Sequence, residues 1–459
     1  MKDVIDIPAV IAGREVTGSG FVKEYNGMNG KLTVRFPEIT SDHIRDIFEA
    51  QKKINELSLK EIVDFLAEVG KRWADPQYHL KKESLELMLR VSQFSENELL
   101  DDFANVPLVL SRDPFIDMVL HSEFQDPSIL DGWVVRGNSE VKAVPRGSAL
   151  HILAGNVPGV EVVSLVRGLL TKNLNILKTA TSNPVSPYYL LKSFMETDPD
   201  HPVTLASSAF YWERGSDVER EIYRKVNTVC VWGGNDAVYA AWKHARPGLE
   251  ILDYGPKRSM VFIGKETLSD SKKLKKAAKG LAFDTTIHDQ QACHSPQIVF
   301  VEGDPHGFCE ETGKELTKLA ERYPRGGESL DRQSERSHLR MMFELSGNKV
   351  YHPGNHDWTI IVIDNLSAMG ESPLGRTLFV VPVDSLKDAV GYVDKYTMVA
   401  AFSDRNDLVK YRDSIAMQGV DRLTEVGHMG HLPAGMPHEG RYDLTRLVKF
   451  VSVDIDANS

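Results

Sequence analysis

The sequence predicts an α/β protein built from two doubly wound parallel sheets, and three observations carry that expectation. Short apolar runs recur at helix-length intervals, the runs do not alternate in polarity, and 459 residues are long for a single core. A run that is apolar on both faces belongs to a strand with helices packed above and below it. Strand, turn, helix, strand is the order that winds such a sheet, and ligands then bind beyond the carboxyl ends of the strands.

Residues 1 to about 50 mix short apolar runs with turn signals, such as Gly18-Ser19-Gly20 and Asn26-Gly27-Met28-Asn29-Gly30, which predicts short strands and hairpins. From Ser41 to about Leu110 the period changes: Ile44, Ile47 and Phe48, then Ile62, Phe65, Leu66 and Val69, follow helical spacing. This lead segment, 1–110, shows no chemistry. The first parallel unit, 111–264, holds the runs SALHILA (148–154), LNILKTA (174–180), VTLASSAFYW (203–212), TVCVWGG (228–234) and LEILDYG (249–255). The second, 265–430, opens on a lysine-rich helix, LSDSKKLKKAAKGLAF, read as a solvated helix face. It continues with strand-like runs at 297–303, 358–364 and 377–383. Residues 431–459 bring Gly, His and Pro and then RLVKFVSVDI, a final strand.

Composition narrows the functions. Hydrophobic residues make up 42% and charged ones 26%, the balance of a soluble globular chain. The net charge of -11, from 54 basic and 65 acidic side chains, argues against a nucleic-acid surface, which needs a basic face. The N-terminus MKDVIDIPAVIAGREV has no continuous apolar stretch of a secretory leader, and no run reaches the ~20 apolar residues of a membrane span. Cys230, Cys293 and Cys309 are too few and scattered for a disulfide framework or a zinc site, so a reducing cytoplasm is the expected home.

Five places carry candidate chemistry. In HILAGNVPGV a strand ends at a Gly-Pro turn from which Asn156 projects; its amide can donate to a developing oxyanion, or it can cap the helix that starts near Gly159. Lys178 closes the run LNILK at the ligand end of the sheet, where it can hold cofactor ribose hydroxyls or a 2′-phosphate, or reach solvent. Three residues on stands Thr181 rather than an acid. A carboxylate there would accept from a 2′-hydroxyl and repel a 2′-phosphate, so its absence tilts the expectation toward NADPH over NADH. Gly233 and Gly234 let backbone approach a ligand, with Asn235 or Asp236 as caps, but lack the three glycines of the dinucleotide fingerprint. HDQQACHSPQIVF places Cys293 in a polar flank just before a strand. A thiolate attacks carbonyls, and an exposed thiol (pKa about 8.5) can supply one. Cys230, inside an apolar run, and Cys309 read as packing residues, and His294 is given little weight as an activator of Cys293.

Taken together, HILAGNVP, LLTKNLNILKTATSNP, VCVWGGNDAV, YGPKRS, DQQACHSPQ and PHEGRYDLTRLVKFVS, in that order between about Gly132 and Val453, resemble the aldehyde-dehydrogenase superfamily, and more closely its LuxC-type long-chain acyl-CoA reductases. The resemblance implies an aldehyde-dehydrogenase-like fold: a nicotinamide-cofactor domain, a catalytic cysteine domain and a small oligomerisation strand element near 130–145, assembled as a homo-oligomer. It implies Cys293 as acyl-accepting nucleophile, Asn156 with the Cys293 backbone N–H as oxyanion donors, Lys178 and Thr181 beside the cofactor ribose, and Gly233 and Gly234 under the pyrophosphate. One departure stands out. Hydrolytic relatives carry a water-activating glutamate in the segment resembling ILDYGPKRS, where this chain has the shorter Asp253. The expected reaction is NADPH-dependent reduction of a long-chain acyl-CoA to the aldehyde through an acyl-cysteine, with an acyl-protein synthetase or acyltransferase as a partner the resemblance allows. The alternatives are a CoA-acylating dehydrogenase of short aldehydes, a cysteine acyltransferase or thioesterase without hydride transfer, and a non-catalytic scaffold with an unreactive Cys293.

Overall fold

In the computed structural model, which describes residues 4–326, 330–364, 366–431 and 433–455, the apolar runs form two seven-stranded sheets. Residues 432 and 456–459 of the expected C-terminal element lie outside the described residues. The chain divides into two compact units. The first comprises the chain up to Ser92, Leu99–Gly255 and the chain from Pro433 onward; the second comprises Gln93–Glu98 and Pro256–Leu432.

The sheet of the first unit runs Glu250–Tyr254, Thr228–Trp232, Ser148–Ile152, Leu174–Lys178, Ser207–Phe210, Ala9–Ile11, Arg14–Val16. The first five strands are parallel, and the hairpin at the far edge is antiparallel. In chain order the parallel strands read 5-4-1-2-3, so the winding reverses between Ser148–Ile152 and Thr228–Trp232. That reversal opens a crevice at the carboxyl ends of those two strands. Two small sheets complete the unit: Val4–Asp6 with the Phe21–Gly27/Gly30–Phe36 hairpin, and Val448–Asp454 with Ser139–Pro145 and Val134–Arg136.

Two buried amide networks hold this sheet together. Asn173 accepts from Gly147 N at 2.8 Å and donates to Leu447 O at 3.0 Å and to Thr171 Oγ1 at 2.9 Å, tying two strand entrances to the C-terminal segment. His151 lies in the middle of its strand with no exposed surface. Its Nε2 faces Asn175 Oδ1 at 3.0 Å, an acceptor, so the proton sits on Nε2; Nδ1 then accepts from Ser164 Oγ at 2.6 Å, and Ser164 in turn accepts from Trp232 Nε1 at 2.9 Å. Burial pushes the imidazole down to about 4, which keeps it neutral.

The sheet of the second unit runs Val350–Tyr351, Thr359–Val362, Thr377–Val383, Pro296–Glu302, Arg258–Ile263, Thr397–Phe402, Arg422–Glu425. All pairs are parallel except the first. Alternate residues serve opposite cores. Val261, Val299, Val380 and Ala401 pack with the helices Ser271–Thr286 and His306–Arg322, whereas Phe262, Phe300, Phe379 and Phe402 pack with the helices Leu386–Val390 and Arg405–Ala416. Both faces are buried, as the lack of polar alternation predicts. Lys272, Lys275, Lys276 and Lys279 line the solvent side of the lysine-rich helix.

The structure differs from the sequence expectation in three places. VTLASSAFYW is half helix: Pro202–Leu205 turns helically, with Pro202 at its first position, before the strand Ser207–Phe210 begins. The boundary between the parallel units falls at Gly255/Pro256 rather than 264/265, because Arg258–Ile263 is a central strand of the second sheet. The lead segment is no separate body. Its hairpin 9–16 edges the first sheet, and its residues Gln93–Glu98 belong to the second unit.

Asn173→Ala leaves the Gly147 N–H buried without a partner, at about 1–3 kcal/mol, while the Leu447 carbonyl keeps the bond from Arg146 N at 3.1 Å. A urea titration should show the midpoint lowered by the equivalent of about 1–3 kcal/mol with the slope unchanged.

Candidate active site

Asn156, Lys178, Thr181, Gly233, Gly234 and Asp253 all belong to the first unit, and Cys293 to the second. In the first unit the six stand at the carboxyl end of the parallel strands. Asn156 lies four residues past Ser148–Ile152, and Gly233 immediately past Thr228–Trp232, so their turns flank the crevice where the winding reverses. Asn156 is not the helix cap; Gly159, at φ 91°, caps the helix Val160–Leu170. Gly155 is demanded by close approach, since a Cβ there would lie 2.0 Å from Ser182 Oγ and 3.0 Å from Asn183 N. The Asn156 turn is therefore pressed against the loop carrying Thr181, which is exposed.

Lys178 ends its strand with Nζ 5.5 Å from the Tyr211 ring centroid and 5.4 Å from that of Trp212. Burial lowers its ammonium pKa, an effect to which Arg214 and Lys23 add. The caps expected at Asn235 and Asp236 are corrected: Gly234 is the N-cap, and Asn235 opens the eight-residue helix Asn235–Trp242. Among the described residues no atom lies within 4 Å of where a Gly234 Cβ would sit, so packing does not require that glycine.

Asp253 is half-buried one residue before the end of its strand. It accepts from Trp242 Nε1 at 3.2 Å and from Arg441 at 3.1 Å, while the same guanidinium also donates to the Asp253 carbonyl and lies 5.3 Å from the Tyr254 ring centroid. Arg441 is presented by a tight turn whose central residues, Glu439 and Gly440, have φ of 47° and 72°. Burial alone would raise the carboxyl pKa; the donors from Arg441 and Trp242 outweigh it and hold Asp253 below its ordinary value. Glu161, in the first turn of the helix after Asn156, behaves oppositely. Burial raises it to about 7 against the hydrogen bond from Gly159 N.

Of the three thiols, burial pushes Cys230 and Cys309 up to about 12, as expected of packing cysteines. Cys293 alone is only partly buried, with one side against the core. It sits in a turn closed by Ser295 N donating to Ala292 O at 2.9 Å, just before Pro296–Glu302, so the thiol stands at the amino end of its strand. The carboxyl-end rule that locates the crevice of the first sheet does not locate Cys293. Its carbonyl accepts from buried Ser259 Oγ at 2.8 Å, and Ser259 accepts from Val399 N at 3.1 Å, fixing the turn to two further strands.

Upstream, His288, Asp289 and Gln290 take φ of 53°, 52° and 63°, a left-handed run without glycine. Such residues cost about 1 kcal/mol or more each and persist only where surroundings over-determine them. Gln290 accepts from Thr377 N at 2.8 Å and donates to Thr377 O at 2.8 Å and Pro296 O at 2.6 Å. Asp289 is held by Arg325 at 2.8 and 3.0 Å and by Arg376 at 2.8 Å. Sequence reasoning missed Gln290, Asp289 and Ser259 because their partners are remote in the chain; the segment HDQQAC carried the first two without a signal for their roles. His294 is pushed down to about 3 by burial, with His288 and Arg422 adding to it, so it supplies no positive charge beside the thiol. Among the described residues no cluster of His, Cys, Asp or Glu could hold a metal, and no helix is long and apolar enough to cross a membrane.

Residues 54–450 match the family model described as acyl-CoA reductase (LuxC). The chain is 32% identical, over 97% of its length and 92% of the relative's, to the long-chain acyl-protein thioester reductase of Aliivibrio fischeri. It is 31% identical to that of Vibrio harveyi, over 87% of this chain and 83% of the relative's. Among solved structures, indole-3-acetaldehyde dehydrogenase complexed with NAD+ superposes with a TM-score of 0.76 over 97% of this chain and 96% of the other, at 15% identity, and the fold is that of the aldehyde dehydrogenases.

Because the folded Glu161 pKa is raised above that of the unfolded chain, its favourable contribution is complete below about 4.5 and lost as pH rises through about 7. Glu161→Gln lacks this dependence. Chemical denaturation between pH 5 and 8 should show wild type losing stability relative to the variant, by on the order of 3 kcal/mol.

Proposed function

The chain belongs to the LuxC family of acyl-CoA reductases, and from that premise we propose that it reduces a long-chain acyl thioester to the fatty aldehyde through an acyl-Cys293 intermediate. One observation carries the reading: Cys293 is the single thiol of the three that is not fully buried, and it is presented in a turn anchored to three strands. The Cys293 thiolate attacks the thioester carbonyl, the carbonyl oxygen becomes an oxyanion, and the coenzyme A or carrier thiolate leaves as the acyl–cysteine bond forms. Asn156, past the end of its strand and not engaged as a cap, is the side-chain donor to that oxyanion. After reduction the thiohemiacetal on Cys293 collapses, releasing the aldehyde and restoring the thiolate.

A nicotinamide cofactor supplies the hydride when bound. The first unit fits one. Its winding reverses beside the Gly233–Gly234 turn, where the space at Gly234 is open among the described residues and a helix N-terminus suits a pyrophosphate. Lys178 ends the strand on the other side of Ser148–Ile152, and Thr181 lies just past it. Around Lys178 the Glu219 carboxylate offsets Arg214 and Lys23, so the preference for NADPH rests on Thr181 standing where an acid would repel a 2′-phosphate. Acyl-CoA is the proposed donor. An acyl-protein, the substrate in the names of the relatives, is the other form of the same thioester. A homo-oligomer and an acyl-supplying partner enzyme belong to the same reading.

NADPH oxidation, with NADH alongside, should be followed on adding acyl-CoAs from acetyl to palmitoyl and a long-chain acyl-protein thioester. Turnover with long chains and aldehyde as product is expected, and Cys293→Ala should abolish both acylation and reduction. No oxidation with any pair would discard hydride transfer and leave an acyltransferase.

Asp253 stands where the resemblance places the water-activating carboxylate, yet Arg441 and Trp242 occupy it and lower its basicity. Asp253→Ala should therefore retain reductase activity. Arg441→Gln frees the carboxylate and should raise the ratio of fatty acid to aldehyde among the products; product analysis by gas chromatography reads the ratio directly.

A further inference from the structure

We propose that Gln290, Asp289 and Arg376 are positioning residues for Cys293, acting as a lock that holds a left-handed turn and thereby aims the thiol. The inference rests on the reading of Cys293 as the acyl-accepting nucleophile, and the geometry supporting it lies within the second unit.

Two neighbouring parallel strands, Pro296–Glu302 and Thr377–Val383, are both entered through left-handed backbone. On one side the run is His288-Asp289-Gln290; on the other it is Leu374-Gly375-Arg376, with φ of 57°, 61° and 62°. Neither run is intrinsically favoured at its non-glycine positions, so each needs an external hold. The two hold each other. The Asp289 carboxylate forms an ion pair with Arg376 of the opposing run, Oδ1 to Nε at 2.8 Å, and the Gln290 amide receives and returns hydrogen bonds at Thr377, the residue after Arg376. Arg325 adds two more donors to Asp289.

The third bond of Gln290 gives the lock its direction. Nε2 donates to Pro296 O, so the side chain spans from before Cys293 to after it and closes residues 291–295 into a stapled loop. Cys293 occupies the second position of the turn inside that loop, with its carbonyl pinned by Ser259. Gln290 has no exposed surface, Arg376 retains 1%, and the bonds described for them run to backbone groups and to Asp289 rather than to the thiol. Their effect on chemistry therefore runs through the orientation of Cys293. A misdirected nucleophile loses rate while the substrate still binds, and displacement by about 1 Å can cost about a hundredfold.

Gln290→Glu preserves the shape and the bond from Thr377 N but turns the donor toward Pro296 O and Thr377 O into an oxygen. Asp289→Asn is the milder change, and Arg376→Lys against Arg376→Ala tests whether the charge alone suffices. The readouts on the full chain are single-turnover release of coenzyme A from myristoyl-CoA and the rate of Cys293 alkylation by iodoacetamide between pH 6 and 10. The melting temperature of each variant is recorded beside them. Acylation should slow by about 10- to 100-fold in Gln290→Glu at an unchanged half-saturating myristoyl-CoA concentration. Alkylation, which a small reagent achieves from many directions, should change less than threefold, with its pH midpoint in place. Arg376→Lys should recover acylation relative to Arg376→Ala. If Gln290→Glu does not fold, Asp289→Asn carries the test, with a smaller loss in the same pattern. Unchanged acylation in a folded variant overturns the proposal. So does a parallel fall of acylation and alkylation, which marks a buried or collapsed thiol. A wild-type chain that is alkylated at Cys293 but never acylated overturns the nucleophile reading, and the positioning role with it.

Discussion

The second unit depends on a side chain standing in for a strand. The Thr377–Val383 strand meets Pro296–Glu302 in parallel register from Ile298 and Phe379 onward, which leaves Thr377 short of a backbone partner on that side. Gln290 supplies one, because its carboxamide carries the same donor and acceptor as a peptide group and meets Thr377 N and O at 2.8 Å each. A buried peptide group left without a partner costs about 1–3 kcal/mol, so a residue without both functions there would leave the amino edge of the sheet unpaired. The loop of Cys293 hangs from this substitution of side chain for main chain, and Ser259 repeats the device on the next strand.

The two sheets use their ends differently. In the first, polar side chains and glycines gather past the carboxyl ends, where parallel winding leaves a crevice and where helix N-termini point. In the second, the candidate nucleophile stands at the amino end, where no crevice rule applies and where the turn has to be built from specific side-chain contacts. The cost appears in the backbone as two runs of left-handed residues, and the compensation appears as buried ionic and amide bonds. The first unit has its own buried polar frame: His151 acts within a strand, whereas Asn173 stands at a strand entrance directly after Lys172, which has φ of 56°.

Much of the frame was legible because it is local. Runs such as TVCVWGG and TLFVVPV announce buried strands by lacking polar alternation, and the Thr228–Trp232 and Thr377–Val383 strands follow. The strand Arg258–Ile263 has no separate signal because RSMVFI follows LEILDYG after only two residues, so two strands of different sheets read as the end of one unit. At the site, the burial of Cys230 followed from its flanks, whereas the polar flank of Cys293 leaves it only half exposed, with one side against the core. The pairing of Asp253 with Arg441, 188 residues away, and of Gln290 with Thr377, 87 residues away, had no local trace. Positive φ at Asp289 and Gln290 was equally hidden, since nothing about those residue types demands it. Gly234 was assigned to a turn, but its role as helix cap in place of Asn235 rests on geometry that neither residue dictates.

The order in which the chain is threaded through the two units has a consequence for its synthesis. Strand Ser139–Pro145 pairs along its whole length with Val448–Asp454, yet the entire stretch Pro256–Leu432 must leave the ribosome between the last residue of the first sheet and that partner. At ordinary elongation rates this delay is roughly 10–40 s. For that time Asn173 lacks Leu447, and a seven-residue strand presents an open edge with a single short neighbour, Val134–Arg136. An open edge of this kind recruits whatever strand is at hand, and the nearest supply on a polysome is the same segment of the next nascent chain. The Ser139–Pro145 edge carries Glu140 and Lys142, charges of the sort that blunt such pairing while the chain waits for its own C-terminus.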